Sequence, residues 1–180
     1  MTIPTFQTER LTLRPVEAGD ASAIGAVARL REIADTMISI PHPYPDGEAE
    51  RFVAARRADL EGGRGSTFVA ETHDGAFCGL AEIWDTDLEH EQAGLSFWLA
   101  PDAWGRGYMS EIVRVIIEVG FGHLGMNRLY APHVTRNPAS GRVLEKNGFS
   151  LEVVLRQRVR KWGRFEDVAL WSRLASDPAP

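Results

Sequence analysis

Between residues 93 and 123 three segments follow one another without a spacer. They are an apolar strand (Ala93–Ala100), a loop holding Trp104-Gly105-Arg106-Gly107, and a helix from about Met109 to His123. Ile112, Val113, Ile116, Ile117 and Gly120 give that helix its i, i+3, i+4 stripe, so one face must be buried against a sheet. A strand feeding directly into an amphipathic helix restricts the fold to a layered arrangement of sheet and helices. The loop also has a chemical meaning. A helix N-terminus presents about four unpaired N–H groups and roughly half a positive charge. Glycines remove the Cβ atoms that would hold an anion away from those donors, making a phosphate cradle. A plain strand-to-helix turn built of small residues has the same pattern. A Rossmann fingerprint fails at Ser110, which stands where glycine or alanine is needed. A P-loop fails because no Gly-Lys-Ser/Thr occurs.

The remaining elements fall on either side. Arg10–Val16 alternates as a first strand, and an alanine-rich helical stretch runs from about Ala18 to Arg31. Ile40-Pro41-His42-Pro43-Tyr44-Pro45 is a stiff loop, since three prolines fix φ and exclude a helix. Asp46 is expected to cap a second helix that reaches about Leu60 and closes at Gly62-Gly63. Ser66–Thr72 and Phe77–Trp84 form a hairpin about His73-Asp74-Gly75, followed by a loop carrying Asp85, Asp87, Glu89 and Glu91. Arg128–Val134 is a strand, Asn137-Pro138 caps a helix ending at Gly148, and Phe149–Lys161 and Phe165–Leu174 are the last strands. The order β-α-α-β-β-β-α-β-α-β-β predicts an α/β (α+β) mixed sheet of about seven strands with helices on both faces. The expected organisation is a single domain over residues 1–175 with a frayed tail at 176–180.

Pro132 sits inside a strand yet has no N–H for a ladder. Its strand is therefore an edge, or it parts from a neighbour there and leaves backbone groups facing a gap. Asn137 and Ser140 form another constellation, readable as an N-cap and an ordinary helix residue.

Composition excludes several classes. The 180 residues contain one cysteine, Cys78, so neither an intramolecular disulfide framework nor a cysteine-rich metal site is available. No metal is expected. No apolar run nears the ~20 residues that span a bilayer, and Met1–Thr5 lacks the basic and apolar regions of a secretory signal. A cytoplasmic location without membrane contact is the expectation. A net charge of −5 argues against a nucleic-acid binder. Two of the 20 basic residues are lysines, Lys146 and Lys161.

Taken together, Trp104-Gly105-Arg106-Gly107-Tyr108 with Ser110-Glu111 resembles the acetyl-CoA pyrophosphate loop of the GNAT N-acetyltransferases. Asn137-x-x-Ser140 followed by Arg142–Phe149 is similar to a second motif of the branch that includes the ribosomal-protein N-terminal acetyltransferases. Leu13-Arg14-Pro15 and Gly94–Leu99 also fit, in the expected order over nearly the whole chain. Met109 stands at the last position of the loop motif, where glycine or alanine is usual, and is expected to narrow the space near the phosphates.

The resemblance implies a GNAT-like fold in which a splayed strand pair binds acetyl-CoA, and direct transfer of its acetyl group to a primary amine. The acceptor would be a protein N-terminus or a small-molecule amine. Implied cofactor contacts are Phe97, Trp98, Leu99, Trp104, Gly105, Arg106, Gly107, Tyr108, Met109, Ser110 and Asn137. The amine must lose a proton to attack. Glu82, the carboxylate within Leu80-Ala81-Glu82-Ile83-Trp84, is a candidate base because partial burial would strengthen it; strand alternation equally permits a solvated glutamate. His133 is a second candidate, readable also as structural. Ser140 is a candidate donor to the departing thiolate. Glu111, in the first turn of its helix, reads as structural. The Pro41–Pro45 loop and the acidic Asp85–Glu91 loop are expected to flank the acceptor.

Two alternatives remain open on sequence. One is a CoA-binding sensor or scaffold without turnover. The other is a ribosome- or RNA-associated module using Arg156, Arg158 and Arg160, which at period two would share a strand face. A homodimer through an edge of the final strands is also open.

Overall fold

A computed structural model of the chain describes residues 3–178 and 180. Met1, Thr2 and Ala179, which belong to the segments read as a leaderless start and a frayed tail, lie outside the described residues. Among the described residues eight strands form one sheet: β1 (Phe6–Gln7), β2 (Leu11–Pro15), β3 (Ser66–Thr72), β4 (Phe77–Asp87), β5 (Gln92–Leu99), β6 (Arg128–Val134), β7 (Ser150–Lys161) and β8 (Arg164–Leu174). Their order is β1-β2-β3-β4-β5-β6-β8-β7. The strand beyond the expected seven is β1, whose two residues pair with Leu13 and Thr12 and are too short to leave a periodic signal. Neighbouring strands run antiparallel except β5 and β6, which are parallel.

Five α-helices among the described residues cover the two faces: α1 (Ala21–Ala28), α2 (Arg31–Thr36), α3 (Glu48–Glu61), α4 (Tyr108–Glu118) and α5 (Pro138–Lys146). Ile112, Val113 and Ile116 of α4 and Leu144 of α5 pack with Leu13, Phe68, Ile83 and Leu95 on one side of the sheet. Ile24 of α1, Ile33 of α2 and Val53 of α3 pack with Val69, Leu80 and Trp98 on the other. Alternation along the strands, not any single residue, divides the apolar side chains between these two cores. Among the described residues no helix is long and apolar enough to cross a membrane.

Three expectations about the helices change. The first helical stretch breaks at Leu30, whose extended backbone redirects the chain and lets α2 bury Ile33 and Ala34. Asp46 does not cap α3: the cap is Gly47, at φ +73, and Asp46 lies in the preceding turn. Asn137 occupies the cap position of α5 beside Pro138, but its side chain makes no cap bond.

At the opposite edge, β7 exposes Leu151, Val153 and Val154. Its ladder with β8 jumps from Leu155 to Val159, and Gln157 turns to φ +51, so Arg156, Arg158 and Arg160 do not form the regular period-two stripe expected of them. The Gln157 N–H is satisfied instead by the Asp167 carboxylate at 2.7 Å. Past β8, Asp177 accepts the Leu174 N–H at 2.9 Å, and Pro178 accepts from Arg173.

Candidate active site

The parallel pair β5–β6 is in register only over Gln92–Gly94 against Arg128–Tyr130. Beyond that point the strands separate. The cause is local. Antiparallel partners alternate between bonded and non-bonded pairs. Thr135 donates to Asp167 and Ala175 to Asn127, so odd-numbered residues of β6 face β8 and even-numbered ones face β5. Pro132 is therefore at a position whose N–H would have crossed to β5, and it has none. The same reasoning applies to β5. Ala100 donates to Cys78, so Phe97 and Leu99 turn their backbone groups toward the gap. Trp98 is turned the other way. Its backbone pairs with Leu80 and its indole packs in the core beside α1 and α3, so both turn away from the gap.

The glycine loop closes the end of this gap. The Trp104 indole N–H donates to the Leu99 carbonyl at 2.8 Å and fastens the loop to β5. Gly105 and Gly107 both have positive φ, +74 and +80, and Gly107 is the N-cap of α4. Such conformations cost a residue with a Cβ about 1–2 kcal/mol. The first N–H groups of α4 point outward with the positive end of its dipole. Arg106 is exposed, Tyr108 and Ser110 are half-buried, and Met109 is buried in the core under α4. Met109 thus does not narrow the phosphate side: the second residue of a helix begun at Tyr108 faces the sheet.

Arg10 was not legible as part of this site. It donates to the Arg106 carbonyl at 2.7 Å and to Glu111 at 2.5 Å, and its guanidinium lies 4.8 Å from the centre of the Tyr108 ring. Thr8 donates to the second Glu111 oxygen at 2.9 Å. Glu111 is tied to the N-terminal segment, and Arg10 offsets its negative charge at the first turn of α4. These partners lie about a hundred residues apart in the chain, so no local pattern announces them.

Glu82, His133 and Ser140 line one cavity of about 340 Å³, together with Trp84, Ser96, Phe97, Pro132 and residues 36–39. Thr67, Glu82 and Ser96 are cross-strand partners on β3, β4 and β5. Both hydroxyls donate to the Glu82 carboxylate, at 3.2 and 2.9 Å, and the Arg56 guanidinium is 3.7 Å away. The carboxylate faces the cavity and is not the solvated glutamate that alternation also permitted. His133 is different. Its Nδ1 donates to the Val134 carbonyl at 2.9 Å, so Nε2 is the unprotonated nitrogen, and that lone pair accepts the Trp171 indole N–H at 3.0 Å. Burial lowers the imidazole below its usual range, which keeps it neutral. The one lone pair of His133 is thus taken by the Trp171 indole, an arrangement that suits a structural histidine better than a base. The Asn137 amide donates to Ser140 Oγ at 3.0 Å, leaving the Ser140 proton free to donate onward.

Trp84 walls the cavity because Gly94 lies opposite it. A Cβ on Gly94 would stand 2.5 Å from the indole, which crosses β5 there to meet Tyr130 edge-on at 5.5 Å. Gly94→Ala is expected to displace Trp84 and to lower stability by about 1–3 kcal/mol, read from the urea midpoint. An unchanged midpoint with unchanged tryptophan fluorescence would contradict this packing. Tyr130 donates to Asp85 at 2.8 Å, and burial with that carboxylate raises its phenol well above the ordinary value. Asp87 accepts the Glu89 and His90 N–H groups, both at 3.0 Å. Neither acid lines the cavity, and the Tyr44-Pro45 segment lines a separate hollow of about 610 Å³ between α1 and α3. Residues 36–39 line the cavity on that side.

Comparison with known proteins agrees with this geometry. The Acetyltransferase (GNAT) domain family matches residues 10–150. An uncharacterized N-acetyltransferase, p20 of Bacillus licheniformis, is 32% identical over 178 residues, covering 97% of this chain and 98% of its own. The crystal structure of spermidine N-acetyltransferase from Vibrio cholerae, in complex with CoA and spermine, superposes with a TM-score of 0.85 at 24% identity, over 94% of this chain and 98% of that one. RimL, a ribosomal L7/L12 alpha-N-protein acetyltransferase in complex with coenzyme A, gives a TM-score of 0.88 at 17% identity, over 95% and 98%. With the family matched across most of its length, this chain belongs to the GNAT acetyltransferases, acyltransferases whose acetyl donor is acetyl-CoA.

Proposed function

We propose that the chain acetylates a primary amine bound in the Glu82 cavity, with CoA lying in the gap between β5 and β6 and its pyrophosphate at Gly105–Ser110. The observation that carries this reading is the parting of β5 from β6 at Pro132, with the glycine loop at its end and the Glu82 carboxylate in the adjoining cavity. Free backbone groups of Phe97 and Leu99 fit an extended amide-bearing arm, as a sheet edge fits a peptide. The outward N–H groups of α4 fit a pyrophosphate.

Acetyl-CoA supplies a thioester carbonyl and a sulfur leaving group. Glu82 takes the proton from the acceptor ammonium, directly or through one water, and frees the nitrogen lone pair. The Phe97 N–H stabilises negative charge on the carbonyl oxygen. Ser140, held by Asn137, donates its proton toward the sulfur. Among the described residues lining the cavity Glu82 is the one carboxylate, and Arg56 stands beside it. Apolar walls at Met37, Trp84, Leu95 and Phe97 complete the frame. This charge balance suits an acceptor with one ammonium, a monoamine or a peptide N-terminus, better than a polyamine.

The test is thiol release from acetyl-CoA across a panel of monoamines, N-terminal peptides and spermidine, with the products identified by mass. Turnover of a monoamine or peptide is expected. Preference for spermidine would overturn the acceptor class, and the absence of thiol release with every amine tested, despite measured acetyl-CoA binding, would favour a CoA-binding scaffold. The long edge of β7, with its exposed Leu151, Val153 and Val154, supports a homodimer through that strand. Light scattering on the eluted protein reads it, and a monomer at micromolar concentration removes it.

A further inference from the structure

We propose that Lys161 is a positioning residue for the acceptor: its buried ammonium, bound to the backbone carbonyls of Met37 and Ile40, holds the intervening Ile38-Ser39 as a wall of the catalytic cavity. The inference rests on the acetyltransferase reading above for its link to catalysis, but the tether itself is independent of that reading.

Lys161 ends β7 and is 9% exposed, whereas most of β7 is exposed. A lysine is almost never buried without a partner, because its charge is costly to remove from water. Its partners here are distant in sequence. Lys161 Nζ donates to the Met37 carbonyl and, at 3.2 Å, to the Ile40 carbonyl. The first of these is the C-cap residue of α2. The segment between them supplies the Met37, Ile38 and Ser39 lining of the cavity that contains Glu82. That segment contains no ladder or helix of its own, so its shape depends on bonds from outside it.

A second contact strengthens the first. Trp162, at the tip of the β7–β8 hairpin, lies 5.0 Å from the Arg31 guanidinium and 6.0 Å from the His42 ring. Arg136, just beyond β6, donates to the Asp35 carboxylate at 2.6 Å and carbonyl at 2.5 Å while pairing with Glu166 of β8 at 3.0 Å. Residues 31–42 are thus fixed to the far end of the sheet at several points. Lys161 is the point that bonds the wall's own backbone on both sides. Its burial pushes the ammonium below the usual lysine range, with Asp35 and Glu166 acting in the opposite direction and Arg136 in the same one. A neutral side chain of similar length fills the space but leaves both carbonyls without a donor.

The test compares Lys161→Met and Lys161→Ala with the wild-type protein. The primary measurement is amide hydrogen exchange over residues 36–40, made with calorimetry of acetyl-CoA binding. Exchange at Met37–Ile40 is expected to quicken by about 10-fold or more, since each 1.4 kcal/mol of local opening is a decade. Acetyl-CoA affinity should stay within about twofold, because the phosphate loop is untouched. With a monoamine probe, benzylamine, and a short N-terminal peptide, the acceptor KM should rise by about 10-fold while the acetyl-CoA KM holds. Unchanged exchange at 36–40 overturns the tether, and so does faster exchange spread evenly over the whole sheet, which would make Lys161 a general stabiliser. Faster local exchange with an unmoved acceptor KM overturns the positioning role. Loss of acetyl-CoA binding by the wild-type protein would instead refute the functional reading and leave the exchange result to judge the tether alone.

Discussion

Gly107→Glu is expected to raise the dissociation constant for acetyl-CoA by about 100-fold or more without unfolding the chain. Two costs arise. Gly107 caps α4 at φ +80, where a residue with a Cβ loses about 1–2 kcal/mol. The new carboxylate would stand at the positive end of the helix, where the pyrophosphate is proposed to lie, and two like charges about 4 Å apart repel by ~1 kcal/mol in water and ~4 kcal/mol in a surface cleft. The strain is paid in free and bound protein alike and shows in the melt, whereas the repulsion, ~4 kcal/mol in the cleft, exceeds the ~2.7 kcal/mol that corresponds to two decades in affinity. The fold should tolerate the change, since the nearest atom to a Cβ here is the end of the Arg10 side chain at 3.4 Å. Calorimetry with acetyl-CoA and a thermal melt of the same sample make the comparison. Equal affinity in the two proteins would show that the loop does not hold the phosphates.

Glu82→Gln should lower kcat by about 10²-fold or more while leaving acetyl-CoA affinity unchanged. Glutamine has the same shape and keeps an oxygen for the Ser96 or Thr67 hydroxyl, so the cavity retains its form. What it loses is the ability to accept and hold a proton. The prediction concerns kcat because the proton leaves the amine after binding; an effect confined to the acceptor KM would instead mean that Glu82 attracts the ammonium without acting as base. Undiminished turnover would pass the proton to water. His133 is an unsuitable heir, since its one free lone pair is committed to the Trp171 indole. His133→Ala should therefore reduce stability more than it alters the pH dependence of the rate.

The elements that were legible in the sequence are those whose cause is covalent or nearly so. Pro132 has no N–H whatever surrounds it, and from that alone either an edge strand or a break beside its strand follows. The structure adds which neighbour is lost: β6 keeps β8 and parts from β5. The start of α4 at the Gly-Arg-Gly loop and the strand at Arg128–Val134 were legible for the same reason, through glycine backbone freedom and apolar alternation. Where two residues compete for one local role, the sequence was less decisive. Asp46 has the side chain of a cap, but only Gly47 adopts the left-handed turn that the chain needs after Pro45.

The candidate site was legible as a set of residues and only partly as a set of roles. Glu82, His133 and Ser140 do share one cavity. Which of them is free to act depends on partners far away in the chain. Trp171 takes the lone pair of His133 from 38 residues on, and Arg10 holds Glu111 from 101 residues back. The wall at residues 36–40 rests on Lys161, 121 to 124 residues away. By itself the sequence determined the layered α/β class, the glycine turn that opens α4 and the missing ladder donor at Pro132, because glycine, proline and alternating apolar residues act through the backbone beside them. Only the tertiary structure decided the free lone pairs, the face taken by Trp98 and the bonds of Lys161 to Met37 and Ile40, because hydrogen bonds and burial join residues that the chain brings together only on folding.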